Sequence, residues 1–119
     1  MKLEPKDGGY LWDMLATARE TRELMQGFTL ERLLADARTR RALERTLEVL
    51  GEAANRVSAP AREALPRIPW VKVIGQRNII AHGYAVLDHS RLFRTVTDDL
   101  PGLIDELEQV VKELERGLK

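Results

Sequence analysis

Leu100–Leu114 reads Leu-Pro-Gly-Leu-Ile-Asp-Glu-Leu-Glu-Gln-Val-Val-Lys-Glu-Leu, and this stretch indicates the fold class. Its apolar residues recur every three or four positions over about four turns, which places them on one face of an α-helix. They are Leu100, Leu103, Ile104, Leu107, Val110, Val111 and Leu114. Pro101 either kinks a longer helix or lies in the first turn of a new helix capped by Asp98. The sequence is compatible with both arrangements.

The same helical spacing recurs toward the N-terminus. One amphipathic helix is predicted from Leu11 to Met25, ended by Gly27, and a longer one carries an apolar stripe from Leu43 to Val57. Shorter helices are predicted at Leu30, Leu33 and Leu34 after a Thr29 cap, at Ala61–Leu65, and from Pro69 to His82, with Asp88 capping the final segment. No β-alternation is present. The prediction is an all-α, up-and-down helical bundle, formed by one domain over residues 1–119.

Composition limits the classes of function. The 119 residues are 44% hydrophobic and carry 19 basic and 19 acidic side chains, so an attraction to nucleic acid or membrane would have to come from a local patch. There is no cysteine, which excludes disulfides and thiolate chemistry. Without a signal-peptide pattern or a run of about 20 apolar residues, the expected location is cytoplasmic, with no membrane partner.

The second long helix has two features that the core does not explain. Gly51 lies in its middle, where glycine is unfavourable by roughly 1 kcal/mol relative to alanine, so we expect another backbone to approach it closely. The opposite side begins with four arginines, Arg38, Arg40, Arg41 and Arg45. A solvated face, partly paired with Asp36, Glu44 and Glu48, is favoured over a patch that contacts RNA.

Arg77 to Tyr84 is the densest polar stretch, reading Arg-Asn-Ile-Ile-Ala-His-Gly-Tyr. On a helix, Asn78 and His82 share a face, whereas Arg77 lies about 140° round from His82. Two arrangements would bring arginine and histidine together. Gly83 could adopt a left-handed conformation that turns the chain back, or a symmetric dimer could place the arginine of one chain near the histidine of its partner.

These residue types suit cleavage of RNA without a metal ion. Arginine binds phosphate and stabilises added charge, histidine transfers protons, asparagine orients its neighbours, and tyrosine stacks on a base or binds phosphate. From types and spacing alone a structural role is favoured, in which His82 lies at a helix C-terminus and Arg77 pairs with a carboxylate such as Glu52. No metal site or cofactor is predicted, because His82 and His89 lack acidic partners at ligand spacing; His89 is expected at the surface.

Several segments together resemble the HepT-like branch of the HEPN superfamily, the toxin half of the HepT/MntA toxin–antitoxin pairs. The similarity extends over most of the chain. The matching residues are Gly51-Glu52-Ala53, Ile68-Pro69-Trp70, Gly75, Arg77-Asn78, His82, Tyr84, Asp88 and Thr95–Pro101. Phe93 departs from the tryptophan common in that family, a change expected to affect packing. With Trp12 and Trp70 it is predicted to be a core or interface aromatic.

The resemblance implies a helical bundle that dimerises and sets two copies of the motif in a shared cleft. It implies a metal-independent endoribonuclease in which Arg77 and His82 are catalytic, with Asn78 in support; Glu52 is a supporting residue predicted from helix register. The partner would be a minimal nucleotidyltransferase antitoxin, similar to MntA, that adenylylates Tyr84. The alternative is a non-catalytic nucleotide-binding or scaffolding partner of such a nucleotidyltransferase, and a third interpretation is a purely structural dimerisation module.

Overall fold

A computed structural model describes residues 3–83 and 87–117, and the ordered elements there are all helical. In chain order they are α1 (Asp7–Met25), α2 (Leu30–Ala35), α3 (Ala37–Arg56), α4 (Ala59–Ala64), α5 (Trp70–His82), α6 (His89–Arg94), a π-helical turn (Thr95–Asp99) and α7 (Leu100–Gly117). The predicted all-α fold is confirmed.

Short polar residues set the helix starts as the sequence suggests. The Thr29 side chain accepts a hydrogen bond from the Arg32 backbone N–H at 3.1 Å, and Asp88 accepts one from the Ser90 backbone N–H at 3.0 Å, so both predicted caps are confirmed. Asp36 similarly caps α3. Gly27 follows α1 with φ of 79°, a left-handed conformation that glycine adopts without steric cost.

Three long helices surround one core. α1 packs against both α3 and α7, and α5 packs on the far side of α3. The largest fully buried apolar side chains come from α1, α2, α3 and α7 and include Leu11, Met14, Leu15, Leu33, Leu43, Leu47, Ile104 and Leu107. Burying such side chains contributes roughly 1.5–3 kcal/mol each, so the amphipathic stripes, rather than helix propensity, hold the bundle together. No helix in the described parts of the chain is long and apolar enough to cross a membrane.

The final segment is continuous through Pro101. α6 passes into the π-helical turn, where the Leu100 backbone N–H donates to the Thr95 carbonyl oxygen, and α7 follows directly. Asp98 lies inside that turn rather than capping a new helix. Proline has no backbone N–H and so cannot donate an α-helical hydrogen bond. The π-helical turn, with its longer-range hydrogen bonds, ends at Asp99, shortly before this proline.

A buried carboxylate ties the start of α1 to the start of α4. Asp7 is 1% exposed and accepts hydrogen bonds from the Ser58 backbone N–H at 2.8 Å, the Ser58 hydroxyl at 2.6 Å and the Glu4 backbone N–H at 2.7 Å. Burial alone would raise the pKa of Asp7, but these three donors stabilise the charged form and the net effect lowers it. The N-terminal helix is thereby anchored to the chain just beyond α3.

Polar side chains also join α5 to the C-terminal helical segment. Lys72 Nζ lies 2.7 Å from Asp99 Oδ2, and Gln76 Nε2 donates to Thr95 Oγ1 at 3.1 Å. Both partners belong to the π-helical turn. One side of α5 is therefore held by α3 and a second side by this turn, which leaves its remaining surface open.

Candidate active site

Gly51 allows α3 and α5 to touch. A Cβ added at Gly51 would overlap Arg77 Cβ, would lie 2.8 Å from Arg77 Cγ and would lie 3.1 Å from the Val73 carbonyl oxygen. No side chain fits there, so the predicted close approach is confirmed. The stem of Arg77 occupies the space that any larger residue at position 51 would need, and α3 therefore fixes the start of the arginine side chain.

The guanidinium group of Arg77 is turned toward Asn78. Its Nη1 donates to Asn78 Oδ1 at 3.1 Å. Its Nε is shielded from solvent and has no hydrogen-bond partner among the described residues. Because a guanidinium carries five N–H donors and this one makes a single hydrogen bond to the described residues, it retains donors for an anionic ligand.

His82 is the last residue of α5 and is exposed. The left-handed turn at Gly83, one of the two arrangements considered, is not adopted: the φ of Gly83 is −111°, and its backbone N–H donates to the Ile79 carbonyl oxygen at 2.7 Å. α5 thus keeps right-handed geometry to its end, and Arg77 and His82 remain on different faces. Asn78 lies between them, one turn before His82, so its hydrogen bond draws the guanidinium toward the histidine side of the helix.

The side of α5 that carries His82 presents apolar residues to solvent. Val71 is 89% exposed and Ile79 is 46% exposed, and a Cβ added at Gly75 would meet no atom within 4 Å. With Asn78 and His82 these residues repeat at helical spacing and form one strip, which we call the α5 stripe (Val71, Gly75, Asn78, Ile79 and His82). Two exposed apolar side chains on one strip with polar residues make the α5 stripe a candidate interaction surface.

Glu52 does not pair with Arg77. Its Oε1 lies 3.7 Å from Arg45 Nη1, and no ion pair joins Glu52 to Arg77 in the described structure. Helix register explains the difference: Gly51 faces Arg77, and the next residue is rotated by about 100° away from that contact. The predicted ion pair is replaced by one within α3, and a supporting role for Glu52 stays a hypothesis.

His89 has a carboxylate partner that sequence analysis missed. Its Nε2 lies 2.7 Å from Glu44 Oε2, and both side chains are mostly buried. The expectation of a surface histidine without an acidic partner is therefore corrected. The two residues are 45 positions apart, and no local spacing signals their contact. The pair fixes the beginning of α6 to α3, just after the chain leaves the motif.

The structure bears on the predictions for the two tryptophans and a metal site, and not on the prediction for the tyrosine. Tyr84, the predicted modification site, lies outside the described residues. Trp70 is buried and donates from Nε1 to the Leu65 carbonyl oxygen at 3.0 Å, as expected of a core aromatic, whereas Trp12 is 47% exposed and so is not part of the core. Across residues 3–83 and 87–117, no group of three His, Asp or Glu side chains is arranged to hold a metal ion.

Comparison of the sequence with known proteins identifies a family that this chain resembles. The family model described as "Ribonuclease HepT-like" matches residues 14–110, a range that includes Gly51 and the whole motif. "Probable ribonuclease HepT" of Thermococcus cleftensis is 31% identical over 112 residues, covering 94% of this chain and 100% of that protein. "Putative RNase MJ1380" of Methanocaldococcus jannaschii is 32% identical over 101 residues, covering 85% of this chain and 93% of that protein.

No solved structure matches the chain. The assignment therefore depends on sequence similarity that runs through nearly the entire length of both curated relatives, and on a helical fold that agrees with it. The chain belongs to the HepT-like ribonuclease family.

Proposed function

We propose that this protein is a metal-independent RNA endonuclease in which Arg77 and His82 are the catalytic residues. The observation that carries the proposal is the Arg77–Asn78 hydrogen bond, which turns the guanidinium toward the face of His82. In a member of the HepT-like ribonuclease family, a phosphate-binding group directed toward the side of the helix that carries a proton-transfer group supports a role in RNA cleavage. Asn78 acts as the residue that orients the arginine.

The proposed reaction is an internal transfer at one phosphodiester. The ribose 2′-oxygen attacks the adjacent phosphorus, the O2′–P bond forms, the P–O5′ bond breaks, and the product ends in a 2′,3′-cyclic phosphate. A histidine accepts the 2′-hydroxyl proton, a histidine donates a proton to the leaving 5′-oxygen, and Arg77 stabilises the charge that develops on the phosphate oxygens. One neutral imidazole cannot fill both roles in a single step.

A symmetric dimer supplies the second histidine. The α5 stripe combines Val71 and Ile79, which are exposed, with Gly75, which leaves space for close approach of another surface. If two copies meet along this stripe, His82 of each chain lies beside the other chain's motif, and the separation of Arg77 and His82 on a single helix is bridged by the partner. The cleft then contains two arginines and two histidines.

In a toxin–antitoxin pair of type II-like organisation, this chain would be the toxin. We propose that a nucleotidyltransferase antitoxin, similar to MntA, neutralises it by adenylylating Tyr84. The phenolic oxygen would attack the α-phosphorus of ATP, an O–P bond to AMP would form, and pyrophosphate would leave. A bulky anion two positions from His82 would obstruct the cleft and repel RNA phosphate.

The test is cleavage of RNA by the purified protein, freed of any partner, with EDTA present. We expect products with 2′,3′-cyclic phosphate ends and a fall in kcat of roughly 10²- to 10⁴-fold for His82→Ala, the range for loss of a general acid or base. Arg22→Ala, a substitution of an exposed arginine on α1, should leave the rate unchanged.

Folded wild-type protein that leaves RNA intact would contradict the proposal. In that case, nucleotide or nucleotidyltransferase binding that weakens in Arg77→Ala would favour the non-catalytic binding partner. Cleavage that persists in His82→Ala would instead remove histidine from the mechanism. The wild type and His82→Ala can also be compared in cells, by measuring the growth of cells that express each protein and by examining their total RNA for new cleavage ends.

A further inference from the structure

Two of the three acidic residues expected to neutralise the arginines of α3 are engaged elsewhere, and the third pairs with only one of them. Asp36 accepts from the Thr39 backbone N–H at 3.1 Å and from the Thr39 hydroxyl at 2.8 Å as the cap of α3. Glu44 bonds His89 at 2.7 Å. Glu48, the third expected partner, lies 3.2 Å from Arg45. These carboxylates therefore leave part of the basic face without a direct counter-charge.

Two of the four arginines are also engaged. Arg40 donates from Nη1 to the carbonyl oxygens of Leu33, at 3.3 Å, and Leu34, and so satisfies the end of α2. Arg45 pairs with Glu48 and, at 3.7 Å, with Glu52. Each of these arginines therefore has a structural role.

The other two arginines of this face are Arg38 and Arg41. Both are exposed, and neither forms an ion pair or a side-chain hydrogen bond with any residue in the described part of the chain. They lie three positions apart on α3, so their guanidinium groups project from neighbouring turns of one surface. We call these two residues the arginine strip. Its charge is available to an anionic partner.

The arginine strip and the histidine face of α5 point to the same side of the molecule. Gly51 and Arg77 mark the contact between α3 and α5. On α3, Arg41 is rotated about 80° from Gly51, away from the buried side of the helix. On α5, Asn78 is rotated about 100° from Arg77, again away from the buried side. Since α5 runs toward the N-terminal half of α3, where His89 meets Glu44, both groups face solvent on one surface.

The offset between the two groups along the helix axes is short. His82 is five residues beyond the contact on α5 and Arg41 is ten residues from it on α3, so at 1.5 Å per residue Arg41 lies about 8 Å farther along than His82. This offset is comparable with the Debye length of about 8–10 Å at physiological salt. A strand that extends from His82 toward the N-terminal end of α3 would therefore approach Arg41, and Arg38 lies one turn farther on.

We propose that the arginine strip is a backbone-binding subsite for single-stranded RNA, extending the cleavage site along α3. The inference depends on the proposed ribonuclease function for its ligand. Exposed arginines bind phosphate irrespective of base sequence, which suits a subsite that holds the strand while the motif acts on one phosphodiester. The strip would contribute to binding of the substrate and not to the chemical step.

The test measures binding separately from cleavage. His82→Ala protein, with and without Arg38→Gln and Arg41→Gln together, is titrated against a fluorescently labelled single-stranded RNA over a range of salt concentrations. Each lost phosphate contact should reduce the slope of log K against log salt by about 0.7, so the double substitution should reduce it by about 1.4 and weaken binding roughly twentyfold at 0.1 M salt. Arg22→Gln with Arg116→Gln removes the same charge from exposed positions on α1 and α7 and is the matched control.

Equal weakening in the two double variants would overturn the proposal, because it would be an effect of net charge alone. An unchanged salt slope, or no RNA binding by the parent protein, would overturn it too. If the strip variant loses binding as expected but the wild type leaves RNA uncut, the subsite stands and the ribonuclease proposal fails. If the wild type cuts RNA, the strip variant should show a raised KM with unchanged kcat.

Discussion

One face of α5 has no spare space, and the opposite face is open. At the contact with α3, Gly51 cannot accommodate a single added carbon, because the stem of Arg77 fills the site. On the α5 stripe, Gly75 has no atom within 4 Å of an added Cβ, and Val71 is 89% exposed. The packed face fixes where the arginine starts, whereas the open face leaves His82 accessible to a substrate or a second chain.

The largest effect should come from filling the packed face. We expect Gly51→Ala to destabilise the fold by about 3 kcal/mol, because overpacking outweighs the gain in helix propensity of roughly 1 kcal/mol. Gly102→Ala, at an exposed helical position on α7 outside the α5 stripe, is the matched control. It should stabilise by up to about 1 kcal/mol, since the added methyl group meets nothing. Urea unfolding of both variants measures the difference, and an upward shift of both midpoints would contradict the close contact.

The open face can be tested by making it polar. We expect Val71→Ser with Ile79→Ser to weaken self-association by about 2 kcal/mol, roughly thirtyfold in the dimer Kd, because each exposed apolar side chain would lose its partner surface. The stability of the single chain should change little, as for most surface substitutions. Sedimentation velocity over a concentration series measures this. Leu34→Ser, at an exposed leucine on α2, is the control. An unaltered dimer in the Val71→Ser, Ile79→Ser variant would assign the interface to a different surface.

The smallest effect concerns the residue between the two faces. Asn78→Ala removes the acceptor that holds Arg77 Nη1, so we expect kcat to fall about tenfold, equivalent to about 1.4 kcal/mol, with folding intact. Asn78→Asp keeps an acceptor oxygen and should restore most of the rate. Asn55→Ala, at an exposed position on α3, should have no effect. Steady-state kinetics decide the matter: equal losses for the Ala and Asp variants would mean that Asn78 does not act by orienting the arginine.

Local signals carried most of the prediction of the fold. The apolar spacing of Leu100–Leu114 required a helix, Thr29 and Asp88 were recognisable as caps, and Gly51 indicated a close approach before its neighbour was known. Each of these depends on residues within a few positions of one another. Pro101 is compatible both with a kinked continuous helix and with the first turn of a new helix, because both tolerate a residue without a backbone N–H. Only the hydrogen bonds of the neighbouring turn decide between the two.

The site was less predictable, because its contacts join distant parts of the chain. The assignment of Glu52 to Arg77 failed by one helical position, and the pairing of Glu44 with His89 spans 45 residues. Because Glu44 bonds His89, the pairing of Glu44 with the arginines of α3 that the sequence predicts does not occur in the described structure. Charge partners follow from which surfaces meet, and helical periodicity alone does not specify this.

The sequence by itself determined that this chain is helical, where α2 and α6 begin and where α1 and α5 end, and that Arg77, Asn78 and His82 belong to its densest polar stretch, because spacing and capping are properties of adjacent residues. Tertiary structure decided which face of each helix is packed and which is open. It placed Arg77 on Gly51, kept His82 on the solvent side, and left Arg38 and Arg41 with free charge. These outcomes depend on close packing between helices, where the fit of one side chain against another sets both position and partner.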